Sequence, residues 1–343
     1  MTYLNKPDMP CLVVVGGFFG DEGKGKIIAY LAKKDDLSIA VRGGVGPNAG
    51  HTFFFKGIKY KVRMLPSAAL NPSTRLLIGA GVLINPEILL NEIAVFNAAD
   101  RTFVDSQCGI IERVHIEEDK ADHHLKIDIG TTGTGTGPAN ADRALRTLKL
   151  ARDFPELLSY VDNVSNSVNY GLDNNNNVII EGTQGTFLSL YHGGYPYVTS
   201  KDVTASGICS DIGIGPKKVD EVLVVFKAYV TRVGGGPLQN EISSEEANRR
   251  GWEEFGSVTG RQRRASPFNM DLAKKAITLN SATQLAITKL DVVFPESAGI
   301  RDFGKLQEQP RMFIENIEAE TGLRVTLIGT GVDLNDVIDR RGK

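Results

Sequence analysis

The sequence predicts an α/β fold: a largely parallel central sheet flanked by helices, with a P-loop-like phosphate loop after the first strand. Three observations carry that prediction. Short β-branched runs alternate with helical stretches, the pattern of strands joined by helical crossovers. The run Cys11-Leu-Val-Val-Val-Gly-Gly17 reads as a buried strand, Ile27–Lys33 reads as the first turns of a helix, and Gly20-Asp-Glu-Gly-Lys-Gly-Lys26 lies between them. With 343 residues, 41% hydrophobic and 23% charged, the chain is long and apolar enough for a well-buried core.

Taken in order, strands are expected at Leu12–Val15, Ser38–Arg42, Arg75–Ile78, Val178–Glu181, Val222–Phe226, Leu285–Thr288 and Val325–Ile328. Each is a short apolar run of strand length. Helices are expected at Glu87–Asn97, Asp142–Arg152, Ser243–Arg250, Asp271–Leu279 and Pro310–Glu320. Asn174–Asn177 reads as a polar loop. No repeat of 20–50 residues stands out, and no stretch marks a boundary, so residues 1–343 read as a single domain.

Composition excludes several classes. A net charge of −2 gives no nucleic-acid-binding surface, so local Lys/Arg clusters are left for anionic ligands or solvent. Cys11, Cys108 and Cys209 are far apart, odd in number and without C-x-x-C, which points to a reducing cytoplasm. Five histidines leave few ligands for zinc. The N-terminus lacks the apolar core of a signal peptide, and no apolar run approaches a membrane span. The expectation is a cytoplasmic protein with neither membrane nor nucleic acid as partner.

A glycine-rich turn opening a helix cradles phosphate through bare N–H groups and the helix N-terminus. Lys24 adds a full charge. Asp21-Glu22 inside the same loop is unexpected for phosphate binding alone, and suits proton transfer or Mg²⁺. The loop departs from G-x-x-x-x-G-K-[ST]: Phe18 stands at the first glycine and Gly25 follows the lysine. A second anion-site pattern is Gly130-Thr-Thr-Gly-Thr-Gly-Thr-Gly137, running into a helix start at Pro138–Asp142. Further polar stretches are Pro47-Asn-Ala-Gly-His-Thr52, Glu181-Gly-Thr-Gln-Gly185, Tyr195-Pro-Tyr-Val-Thr-Ser-Lys-Asp202, Thr231–Gly236, Val258–Arg264 and Thr288-Lys-Leu-Asp291. His51 sits in a glycine-flanked polar loop rather than on an apolar face, which favours a site.

Together and in this order, these motifs resemble the adenylosuccinate synthetase family, in its compact archaeal-like form, over nearly the whole chain. The resemblance implies a ligase that phosphorylates O6 of a purine 5′-monophosphate and then places the amine of L-aspartate on C6. It implies Asp21 as the base on N1 and a Mg²⁺ ligand, His51 as the acid that stabilises the phosphoryl group and O6, and the Gly50 carbonyl as a second Mg²⁺ ligand. The donor nucleotide falls to Gly20, Glu22, Gly23, Lys24, Gly25, Thr52, Arg263, Lys289, Asp291, Gly329 and Gly331, with Lys24 and the loop amides on the triphosphate and Lys289 and Asp291 on the guanine. Asn48, Thr131, Thr132, Gln184, Thr199, Val233 and Gly234 match acceptor contacts. Arg146 matches an arginine that reaches the partner subunit's nucleotide, implying a homodimer. Ser257, Thr259, Arg261 and Arg263 match the aspartate clamp, where an arginine fork suits carboxylates. Arg264 reads as an exposed residue.

The chain departs from the family pattern at Phe18-Phe19, Pro47, Gly235, Leu238-Gln239-Asn240 and Gln262. These variants look like the phage branch that joins aspartate to dGMP on the way to 2-aminoadenine, which would place the enzyme in a host cytoplasm. The retained Asp21 departs from many members of that branch. The leading expectation is therefore dGMP, with IMP and ordinary purine biosynthesis as the alternative. Lys289 and Asp291 favour GTP as donor, and Gly329, where the family often has Ser, leaves ATP open. A non-catalytic nucleotide-binding regulator is the reading from a different class. A dehydrogenase lacks its G-x-G-x-x-G after the first strand.

Overall fold

The computed structural model describes residues 11–256 and 258–342. Among these, ten strands form the central sheet: β1 (Cys11–Gly16), β2 (Ile39–Arg42), β3 (Arg75–Ile78), β4 (Thr102–Asp105), β5 (Val161–Asp162), β6 (Val178–Glu181), β7 (Glu221–Lys227), β8 (Gln284–Thr288), β9 (Val325–Gly329) and β10 (Val337–Asp339). Their spatial order is β10-β9-β8-β7-β1-β6-β2-β3-β4-β5. Every pairing is parallel except β9 with β10.

The central strand shows why the sequence reads so plainly here. Cys11, Val13 and Val15 face one core, while Leu12 and Val14 face the other. A parallel strand covered on both faces is apolar throughout rather than alternating. All the expected strands are present, each within one residue at either end. The sequence reading passes over β4, β5, β10 and the antiparallel hairpin of His51–Phe55 with Ile58–Val62. Strand β5 has only two residues, and the second hairpin strand is mostly exposed, so neither carries a strong apolar run.

The first helix is α1 (Lys24–Lys34), which starts inside the glycine-rich run. Helices Pro86–Val95, Ser244–Arg249, Met270–Asn280 and Glu308–Thr321 lie where expected. The helix expected at Asp142–Arg152 is a correction. It runs from Thr136 to Leu145 and stops at Arg146, whose φ is 66°. Gly135, with φ of 79°, lets the chain turn into it, and Pro138 is tolerated because it sits in the first turn. Residues Ala151–Asp153 form a separate 3₁₀ turn. Helices Arg113–Ala121, Val164–Asp173 and Ala205–Ile212 have no counterpart in the sequence reading. The loop at Asn174–Asn177 is a connection between a helix and β6, as expected.

From β1 the chain moves outward through β2 to β5, returns to insert β6 beside β1, then continues as β7 on β1's other side. This is a topological switch point, and open parallel sheets place ligands outside the strand carboxyl ends there. The loops after β1, β2, β6, β7, β8 and β9 all leave that edge.

Candidate active site

At that edge lies a cavity of about 760 Å³. One of its walls is the loop between β1 and α1. Glu22 is only 1% exposed and faces away from the cavity. Its Oε1 accepts from the Phe18 and Gly20 N–H groups at 3.0 and 2.8 Å. Its Oε2 pairs with Lys24 Nζ at 3.0 Å. Thr288 donates to the Glu22 carbonyl at 2.6 Å, tying the loop to β8. The two neighbouring acids therefore part company: Glu22 shapes the loop, and Asp21 lines the cavity. Asp21, Gln184 and Lys289 all have positive φ (66°, 49° and 59°) and all line the cavity. Such non-glycine conformations cost about 1–3 kcal/mol each and gather at functional sites.

His51 opens the hairpin and reaches the same cavity. A Cβ on Gly25 would stand 2.7 Å from the His51 Cβ, so only glycine lets α1 pack this close. Behind the ring, Nδ1 meets Glu181 Oε1, Arg42 Nη1 at 2.8 Å and Ser67 Oγ at 3.3 Å. Burial and then Arg42 pull His51 down to about 4, with Glu181 opposing them. Burial raises Glu181, but His51 and Arg42 outweigh it and leave it at about 2. At neutral pH, Arg42 and the Ser67 N–H hold Glu181 ionised.

Asp21 faces a second ionic group. Its Oδ2 lies 2.8 Å from Arg263 Nε, an ion pair without hydrogen-bond alignment. Arg263 also pairs with Glu254, which accepts from Lys227 Nζ at 2.8 Å and Tyr229 OH at 2.6 Å. Lys289 stands 3.8 Å from Glu254. Burial raises Asp21 above the usual carboxylate range, with Arg263 and Lys227 pulling it back. A carboxylate raised in this way is a better proton acceptor at neutral pH.

Further loops complete the wall. Asn48 Nδ2 donates to Thr199 Oγ1 at 3.3 Å, which brings together two residues expected at the acceptor. Asn48 Oδ1 and Gln184 Oε1 are buried with no protein partner among the described residues. Buried acceptors left open in a cavity wall are suited to a ligand's donors. Thr131 Oγ1 donates to Asp119 at 2.8 Å. Arg261 Nη2 donates to the carbonyls of Gly130 and Thr131 at 2.7 and 3.2 Å, joining the expected aspartate clamp to the second glycine run. Thr259 Oγ1 accepts from Arg261 N at 3.3 Å.

The cavity wall includes Gly20, Gly23, Lys24, Gly25, Asn48, Gly50, Thr52, Thr132, Thr199, Val233, Arg263 and Gly331. It does not include Glu22, Arg146, Gly234, Asp291 or Gly329. Arg146 is exposed at the end of its helix. Gly234 gives its carbonyl to Arg264 Nη1 at 3.2 Å. Asp291 Oδ1 is buried without a hydrogen-bond partner among the described residues, and burial raises its pKa. Ser257 lies outside the described residues. Arg264 is more than a surface residue: it pairs with Glu241 and donates to the Gly236 carbonyl at 2.8 Å, pinning that loop. Sequence reasoning missed Glu254, Lys227 and Arg42, and gave Glu181 no role. Three of these leave a signal, since Arg42, Glu181 and Lys227 each end an apolar strand with a charge.

A family model described as adenylosuccinate synthetase matches residues 13–154 and 147–296. The chain belongs to the adenylosuccinate synthetase family. It is 53% identical over 338 residues to the adenylosuccinate synthetase of Methanococcus vannielii, covering 98% of this chain and 100% of the relative. Identity to that of Methanocaldococcus jannaschii is also 53%, over 98% of both chains. The fully ligated adenylosuccinate synthetase of Plasmodium falciparum superposes with a TM-score of 0.91 at 25% identity, covering 98% of this chain and 100% of that one. The succinoaminodeoxyadenylate synthetase of cyanophage S-2L, bound to dGMP and dATP, gives 0.79 at 25% identity over 96% and 95%. As a member of this family the protein is a C–N bond-forming ligase, and the reading as a non-catalytic regulator falls away. No helix among the described residues is long and apolar enough to cross a membrane.

Proposed function

We propose that the enzyme joins L-aspartate to C6 of IMP at the expense of GTP, giving adenylosuccinate. The observation that carries this is Asp21 and His51 facing one cavity beside Lys24 and the loop amides. Asp21 takes the N1 proton, which turns O6 into a nucleophile for the γ-phosphoryl group. His51 Nε2, protonated once phosphoryl oxyanions supply counter-charge, hydrogen-bonds the developing charge at O6. Arg261 and Thr259 hold the aspartate carboxylates, and its amine displaces phosphate from C6.

The dGMP expectation built on loop variants gives way to IMP. Archaeal relatives named adenylosuccinate synthetase are 53% identical, whereas the phage enzyme is a structural neighbour at 25%. Lys289 in the wall and the buried, unpartnered Asp291 Oδ1 support a guanine donor. The exposed Arg146 supports a homodimer in which it reaches across to the partner's site.

Mg²⁺ fits this donor set as a nucleotide-borne ion. No group of three or more His, Cys, Asp or Glu among the described residues could cage a metal. One carboxylate, Asp21, and one carbonyl, Gly50, on the cavity wall suit an ion that keeps waters and phosphate oxygens. When bound it would neutralise charge developing on the phosphates.

Isotope exchange tests the scheme. With GTP labelled at the β,γ-bridging oxygen, the label should scramble when IMP and Mg²⁺ are present and aspartate is absent or unreactive. No scrambling, with phosphate released only in the presence of all substrates, would contradict a 6-phosphoryl intermediate.

A further inference from the structure

We propose that Glu181 is the positioning residue for His51, holding the ring by its Nδ1–H so that Nε2 faces the cavity. The inference rests on the ligase reading above. Glu181 closes β6 and Arg42 closes β2, and the two are paired in parallel register, so their side chains leave the sheet on the same face. Both are 0% exposed. Glu181 Oε2 accepts from the Ser67 N–H at 2.6 Å, and Oε1 accepts from Ser67 Oγ at 2.8 Å and from Arg42 Nη1. The carboxylate is thereby fixed from three directions before it meets His51.

An ionised carboxylate only accepts hydrogen bonds. We place the proton on Nδ1, facing the ionised carboxylate; Arg42 Nη1, which carries two hydrogens, gives one to the same carboxylate and stands 2.8 Å from Nδ1. Nε2 has no protein partner among the described residues, and His51 is part of the cavity wall. The ring is thus pinned through one nitrogen and open at the other. A buried Arg–Glu pair is weak as a stabiliser, because desolvation offsets its attraction. Apolar residues at the same strand ends would serve packing as well. They could not orient a polar ring.

Glu181→Gln keeps the shape and removes the charge. The expected result is a kcat loss of about 100-fold with KM for both nucleotides and aspartate within about threefold, as for partners that orient a reactive imidazole. In a His51→Asn background the same substitution should change kcat by less than about threefold, because it acts through the ring. A ¹⁵N spectrum of the unliganded wild type, assigned with His51→Asn, should place the ring proton on Nδ1. Two results would overturn the proposal: a proton on Nε2 in the wild type, or an equal loss in both backgrounds. If Glu181→Gln fails to fold, the wild-type spectrum decides alone. If the wild type releases no phosphate with any acceptor, the ligase reading fails, and the spectrum still reports how the ring is held.

Discussion

The cavity has two halves built in different ways. One is carried by strand ends: the loop after β1, Arg42 after β2, Glu181 after β6, Lys227 after β7 and Thr288 after β8. Its Glu22–Lys24 and Arg42–Glu181 pairs are buried, and its buried Lys227 reaches across to Glu254. The other is carried by loops around residues 46–50, 119–136, 188–200 and 232–263, where Arg261 bonds backbone carbonyls and Thr259 and Asn48 make contacts of 3.3 Å. Rigid elements hold reacting groups in place, while loops vary and select. Under the proposed scheme this difference would be a division of labour, the sheet-borne half serving phosphoryl transfer and the loop-borne half choosing what is joined.

The sharpest way to break that division is Asp21→Ala. It should lower turnover by about a thousandfold or more, the upper range for a positioned acid–base group, while nucleotide KM stays within about tenfold. Steady-state phosphate release checks it; a loss confined to KM would place Asp21 among the binding residues. A smaller effect is expected on the loop side. Arg261→Ala should raise the aspartate KM by about 10- to 100-fold, the worth of a lost charged hydrogen bond, with kcat little changed. A kcat loss instead would give the loops a share in the chemistry.

Gly235→Ala sharpens the comparison at the point where the chain departs from its family. A Cβ there would meet the Tyr197 ring at 2.7 Å, and both residues line the cavity. Overpacking of this kind should raise the acceptor KM by about tenfold, or about 1.4 kcal/mol, with kcat nearly unchanged. An unchanged KM would detach this loop from the acceptor.

The remaining effect concerns stability. His51 is depressed by burial and Arg42 from 6.5 to about 4 in the folded protein. A depressed group contributes stability above its unfolded value and loses it as pH falls towards its folded value. Between pH 6.5 and 4 the wild type should therefore lose about 1 kcal/mol per pH unit relative to His51→Asn, by urea unfolding. Parallel curves would mean that His51 is charged in the folded state.

The same division explains what could be read from the sequence. Strands buried on both faces leave uninterrupted apolar runs, so the sheet and the phosphate loop were legible. The residues that complete the strand-end half were not, because Arg42 and Glu181 become neighbours only when parallel strands align their ends, and Lys227 meets Thr288 in the same way on the other side of β1. Glu254 lies in a loop and meets Lys227, Arg263 and Tyr229 only through tertiary contacts. Of the two residues read as departures in the site, Phe18 turns inward, packing on Phe226 at 4.8 Å and Phe268 at 5.4 Å, while Phe19 lines the cavity and supports Arg232 at 4.5 Å. An aromatic pair in a loop looks the same in sequence whether it meets a ligand or a core.

Aspartate-dependent phosphate release with GTP and Mg²⁺, comparing IMP, GMP and dGMP at matched concentrations and then repeated with ATP, tests the account most directly. Release should require both acceptor and aspartate, with IMP preferred and GTP the better donor. Preference for dGMP would contradict the assigned acceptor, and release without any acceptor would contradict the assembly of both halves into one ligase site.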